Sequence, residues 1–152
     1  MRTGALLALA ALFALSSAHA QSSYGSKAEA VAMVKRVQET FKKEGAEEAF
    51  KEVSDKSTKA FHDRDLYPFI YDMFGVCVAH GARPALIGKK LIDLKDQDGK
   101  YLIREMIKIA QTSGSGWVDY KWPNPITNKI EDKSSYVERM GDYFVGVGIY
   151  KP

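Results

Sequence analysis

The sequence predicts an α+β domain: helical periodicity at the front, period-two alternation at the back, and one more helical stretch between the two kinds of strand. Three observations carry this. Residues 26–54 repeat apolar side chains at helical spacing, and residues 100–111 do so again. Five short runs between residues 66 and 150 alternate apolar and polar positions and stop at Gly, Pro, Asn or Asp. The order is helices, a hairpin, a helical crossover and three antiparallel strands, which fits one mixed or antiparallel sheet.

The chain has 152 residues and a formal charge of +3. Its first twenty read as an export signal: Arg2 gives a positive start, residues 5–15 are a short apolar run, and Ala18-His19-Ala20 is an A-x-A cleavage site. The run is too short to span a bilayer, Gln21 stands where a lipid-bearing cysteine would be needed, and no later segment reaches the length of a membrane helix. Cleavage after Ala20 would leave residues 21–152, which suits a single domain in the periplasm or the medium. Losing Arg2 lowers the charge to +2, with both signs mixed along the chain. That pattern keeps a protein soluble and offers nothing to a nucleic acid. Cys77 is the only cysteine, so an internal disulfide is excluded. Its apolar neighbours favour a small buried hydrophobe over a reactive thiol or an intermolecular bridge.

A capping box, Ser26 with Glu29, starts the first helix, and Ala30, Met33, Val34, Val37 and Phe41 form its stripe. Gly45 ends it. A second helix over residues 46–54 offers Ala49, Phe50 and Val53; the stripe reads as a core face, or alternatively as a dimer seam. Residues 56–65 read as a polar loop. Residues 66–72 form a strand with Tyr67, Phe69 and Tyr71 on one face and Leu66 and Ile70 on the other. Pro68 argues for an edge or a bulge there. A turn at residues 73–75 leads to a partner strand at 76–80. Residues 81–99 are irregular, and residues 100–111 regain helical period, with Asp98 near the start. A polar turn over 124–133 precedes strands at 134–140 and 143–150.

Residues 114–125, GSGWVDYKWPNP, hold both tryptophans. Read as a strand, Val118, Tyr120 and Trp122 share one face, and Trp117, Asp119 and Lys121 the other. An apolar wall with a hydroxyl and an indole N–H suits a small-molecule pocket, and equally an ordinary half-buried strand.

Three blocks, LYPFIYDMFGVCVAH at 66–80, GKKLIDLKDQDGKYLIR at 88–104, and residues 116–150 with WVDYKWPNP, KSSYV and GVGIY, resemble the type 2 single Cache domain. That family is the PAS-like extracytoplasmic sensor of chemoreceptors and sensor kinases. The resemblance covers roughly residues 25–151 and implies a long N-terminal helix packed on a mostly antiparallel sheet of about five strands. It also implies a pocket between the sheet and the irregular segment, for a short organic acid such as acetate, propionate, lactate or pyruvate. The receptors continue into a membrane helix and a signalling module, so the expectation here is the sensor half alone, reporting to a membrane sensor or a homodimer partner. The alternative is a ligand-free interaction module working through its N-terminal helix.

A carboxylate needs a cation and a few neutral donors over an apolar floor. At the matching positions the candidates are Lys133, His80 and Arg83 for charge, Tyr67, Tyr71 and Tyr120 for hydroxyls, and Trp122 for the wall. Lys133, placed just before a strand, comes first; the plain alternative is a solvated turn lysine. Asp96, Asp98, Gly99 and Glu105 mimic four positions of a calcium loop, but Leu94 occupies its first ligand position. No haem, zinc or phosphate-loop motif exists, and no G-x-S-x-G elbow, so neither a cofactor nor an enzyme is expected.

Overall fold

The computed structural model describes residues 22–151; the expected export signal lies outside them. Helix α1 spans Lys27–Glu44, α2 Ala46–Ser54 and α3 Leu102–Thr112. Strands β1 (Pro68–Asp72), β2 (Cys77–His80), β3 (Ser115–Pro123), β4 (Ile130–Met140) and β5 (Tyr143–Lys151) make one antiparallel sheet in the order β2-β1-β5-β4-β3. The α+β plan is as the sequence predicts.

The capping box forms at Ser26: its hydroxyl accepts from the Glu29 amide at 3.2 Å, and the Glu29 carboxylate accepts from the Ser26 amide at 2.7 Å. Gly45, with φ of 91°, ends α1 and lets α2 fold back on it. Both helices cover one sheet face, where Met33, Val34, Val37 and Val53 meet Ile70, Val145 and Val147. Val34 and Val37 are completely buried, so the α1 stripe is core and does not form an exposed dimer seam. The opposite face packs against α3 and the irregular segment that precedes it.

Several boundaries differ from expectation. Pro68 opens β1, where no ladder N–H is demanded of it, and β1 lies inside the sheet between β2 and β5; the irregularity falls later, between Ile70 and Tyr71. Helix α3 starts at Leu102, because Lys100 belongs to a turn in which the Asp96 carboxylate accepts from the amides of Asp98 and Lys100, both at 2.9 Å. The loop at 56–65 is only outwardly polar, since Phe61 and Asp65 are buried in it. Strand β4 begins at Ile130, so the polar run Glu131-Asp132-Lys133 is strand, not turn.

Both sheet edges are partly covered. Beside β2, the Cys77 amide donates to Lys89 O at 3.0 Å and the Gly88 amide to Cys77 O at 2.8 Å. Beside β3, the Lys121 amide donates to the Asp96 carboxylate at 3.0 Å, and the Lys100 ammonium reaches the Asp119 carbonyl at 2.5 Å.

Candidate ligand-binding site

Cross-strand register assembles the polar face. Tyr120 of β3, Lys133 of β4 and Tyr150 of β5 stand side by side across the sheet. One step along comes the row Val118, Ser135 and Gly148. Gly148 is glycine for a steric reason, since a Cβ there would collide with Lys133 Cε and Ser135 Oγ. Its bare backbone lets the Lys133 stem lie over β5 toward β1. Gly146 does the same for Phe69, whose ring a Cβ would strike.

Lys133 Nζ then donates to the Tyr67 hydroxyl at 2.9 Å. Tyr150 donates to Pro123 O at 2.7 Å, and the two tyrosine hydroxyls are 2.9 Å apart. With Tyr150's proton committed to Pro123, Tyr67 must donate to Tyr150 and accept from Lys133, so all three donors point one way. Lys133 is 1 % exposed, and its ammonium has two further N–H groups to give. It rests against the rings of Tyr67, Tyr150 and Phe69, at 4.1, 4.8 and 5.6 Å from their centroids.

Burial without a contacting carboxylate pushes the Lys133 amine down to about 7, against a smaller upward pull from Asp65. Asp65 is itself fully buried and spends its oxygens on the amides of Gly25, at 2.6 Å, and Tyr150, at 3.2 Å. At His80, Nδ1 accepts from the amides of Ala82 (3.2 Å) and Arg83 (3.0 Å), which puts the proton on Nε2. Burial, then the charges of Lys133 and Arg83, hold the imidazole down at about 3, so it is a neutral donor. The same desolvation raises the hydroxyl of Tyr67 to about 12 and those of Tyr71 and Tyr120 further, leaving all three protonated. Tyr120 shares its hydroxyl with Ser135 at 2.8 Å.

These groups surround a small buried cavity. Tyr71, His80, Tyr120, Trp122 and Lys133 contribute from the sheet with Phe69, and Leu102, Ile103 and Met106 of α3 form the apolar roof. The cavity volume is about 10 Å³, the scale of a single water. Five of the seven residues singled out from sequence therefore line one cavity. Tyr67 stands behind Lys133 as its acceptor, and Arg83 lies outside, exposed, its guanidinium 5.8 Å from the Trp122 ring centroid. Lys133 is no turn lysine; the early start of β4 aims it inward. The roof is α3, where the resemblance implied the irregular segment. Sequence reasoning missed Ser135, Tyr150, Asp65 and the α3 residues; the Gly-Val-Gly spacing of β5 was the one local signal of close approach across the sheet.

A five-stranded antiparallel sheet with a long N-terminal helix on one face and a polar cavity on the other defines a PAS-like sensory domain. The chain belongs to the Cache domain family, whose sequence profile matches residues 20–151. It is 33 % identical over 118 residues to the sensor histidine kinase MctS of Rhizobium johnstonii, covering 75 % of this chain and 25 % of that protein. With the methyl-accepting chemotaxis protein McpP of Pseudomonas putida it shares 31 % identity over 91 residues, 59 % of this chain and 17 % of the receptor. The chain thus spans a quarter or less of these curated relatives. Among solved structures, a methyl-accepting chemotaxis protein of Vibrio parahaemolyticus superposes with a TM-score of 0.67 at 28 % identity, over 79 % of this chain and 82 % of that one. A periplasmic sensor domain of a chemotaxis protein gives 0.64 at 28 % identity, over 80 % and 88 %. A Cache chemosensory domain described for carboxylic acid recognition gives 0.65 at 25 % identity, over 80 % and 85 %. Among the described residues no helix is long and apolar enough to cross a membrane.

Proposed function

We propose that this Cache domain is a non-enzymatic, extracytoplasmic receptor for a short organic acid, with Lys133 as the cation that receives the carboxylate. The observation that carries the reading is Lys133 itself: an ammonium buried in a cavity wall, with one neutral acceptor and two N–H groups to spare. An isolated buried charge is costly, and an incoming carboxylate would supply the partner it lacks. The His80 Nε2–H and the Tyr71 and Tyr120 hydroxyls are the further donors, and Leu102, Ile103 and Met106 receive the alkyl end. The cavity is tight, so a four-atom acid is seated by adjustment of its walls, for which the unbranched Met106 is suited. The carboxylic-acid-recognising relative supports the ligand class. A sensor kinase and a chemoreceptor among the relatives support a partner that reads the bound state in the periplasm, after removal of residues 1–20.

At a ceiling of about 1.5 kcal/mol per heavy atom, acetate reaches only about −6 kcal/mol, so Kd is tens of micromolar or weaker. The test is calorimetric titration with acetate, propionate, lactate and pyruvate across pH. The facing groups Tyr67, Tyr71, Tyr120, Tyr150 and His80 hold their protonation between pH 5 and 9, so only Lys133 titrates against the ligand. Affinity is expected to be level near pH 6 and to fall about tenfold per pH unit above about 7, as Lys133 loses its proton. Lys133→Met should abolish binding. Binding that survives Lys133→Met, or no heat with any acid, would sink the proposal.

A further inference from the structure

We infer that Trp122 is the residue that sets the length limit of the acid, by walling the buried cavity off from a larger apolar groove on the surface; this rests on the carboxylate reading above. Trp122 is common to the two spaces. On its inner side is the cavity of about 10 Å³. Its outer side faces a groove of about 330 Å³, within the range of small-molecule sites, floored by Leu86, Leu91, Leu94 and Ile130. No other residue lines both.

Of the nine cavity-lining residues Trp122 is also the most exposed, at 9 %, so the indole is the thinnest part of the wall. Two contacts hold it upright. Tyr120 meets it edge to face at 6.1 Å from inside, and the exposed Arg83 lies over the ring at 5.8 Å from outside. Most of the remaining walls back onto buried core: Phe69 and Tyr71 pack on each other, Tyr71 stacks on Phe144, and Leu102, Ile103 and Met106 belong to the body of α3. Tyr120 and Lys133 also border a hollow of about 200 Å³, but its other lining is four aspartates and three lysines, which would not receive an apolar tail. A carboxylate held at Lys133 can therefore extend an alkyl or aryl tail only through the position of the indole. Removing the ring joins the cavity to the groove, whose leucines match such a tail.

The test is a chain-length series of straight monocarboxylates from acetate to octanoate, with phenylacetate, titrated into the wild-type protein and into Trp122→Ala. The wild type is expected to favour acetate or propionate over hexanoate and phenylacetate by at least about tenfold. Trp122→Ala should remove or invert that preference, and adding Leu94→Trp to refill the groove should restore it. Trp122→Phe serves if the alanine variant does not fold, and should move the optimum toward butyrate and pentanoate. An unchanged length profile in these variants, or a wild type that binds hexanoate as well as propionate, overturns the assignment while leaving the carboxylate reading standing. Folded protein that responds to no acid of the series removes both.

Discussion

The two faces of the sheet are covered in the same way, by helices, yet they are built from different chemistry. Under α1 and α2 the buried residues are almost entirely aliphatic: Ala30, Val34, Val37, Ile70, Val145 and Val147. Under α3 the same five strands bury Lys133, His80 and Ser135 beneath four tyrosines and a tryptophan. A strand's two faces differ by one residue of register, so each strand serves both layers at once. Strand β5 shows this most plainly, with Val145 and Val147 toward the helices and Gly146 and Gly148 toward the site. The first face supplies stability, while the second gives some of it up for donors held in fixed positions without bulk water.

If that division is correct, substitutions on the two faces should move stability in opposite directions. The largest effect belongs to the helical face. Met33→Ala should cost about 2–5 kcal/mol in urea unfolding, while acid affinity in the folded protein stays the same. A loss of affinity as large as the loss of stability would show that the faces are not separable.

Next comes the pH dependence that His80 brings. Its imidazole is held at about 3 when folded and titrates near 6.5 when unfolded, so between these values the unfolded chain binds the extra proton. Stability should fall by about 1.4 kcal/mol per pH unit on acidification through that window, a loss of roughly 2–3 kcal/mol by pH 4.5. His80→Asn, which keeps an acceptor near the Nδ1 position, should flatten this part of the curve; an unchanged slope would assign it elsewhere.

The smallest expected effect is a gain in stability on substitution, opposite to that of Met33→Ala. Lys133 is depressed in the fold from its ordinary 10.5 to about 7, so at and below neutrality its charged form opposes folding, and stability rises with pH between the two values. Lys133→Met should therefore stabilise the protein by about 1–3 kcal/mol at pH 7 and remove that rise, in the same variant proposed above to lose acid binding. Destabilisation would mean that the ammonium serves the fold.

Much of the architecture was legible because it rests on periodicity. The α1 stripe and the β3 alternation of Val118, Tyr120 and Trp122 against Trp117 have the faces their spacing predicts. The entry of Lys133 into the site was not legible, because Glu131-Asp132-Lys133 has the composition of a turn; only pairing with both β3 and β5 makes it strand. Asp65 was hidden for a related reason. It lies in a polar run, and the amides that justify its burial come from residues 40 and 85 positions away. The α3 roof was seen as a helix but not as part of the site, since Leu102, Ile103 and Met106 carry no polar mark. Which hydrophobic stripe faces a cavity is decided by what stands opposite.

The partly covered edges of the sheet have a consequence for how the protein behaves at high concentration. An open strand edge offers a row of free amides and carbonyls on which another chain can extend, the first step toward aggregation. Here Lys89 and Gly88 occupy that row along β2, while Asp96 and Lys100 occupy part of it along β3. The residues that block β3 are the ones whose pattern imitates a calcium loop. Asp96→Ala should leave the cavity intact and yet make the protein form assemblies on storage, because it uncovers the Lys121 amide. Asp96 would then contribute to colloidal stability through the edge it covers.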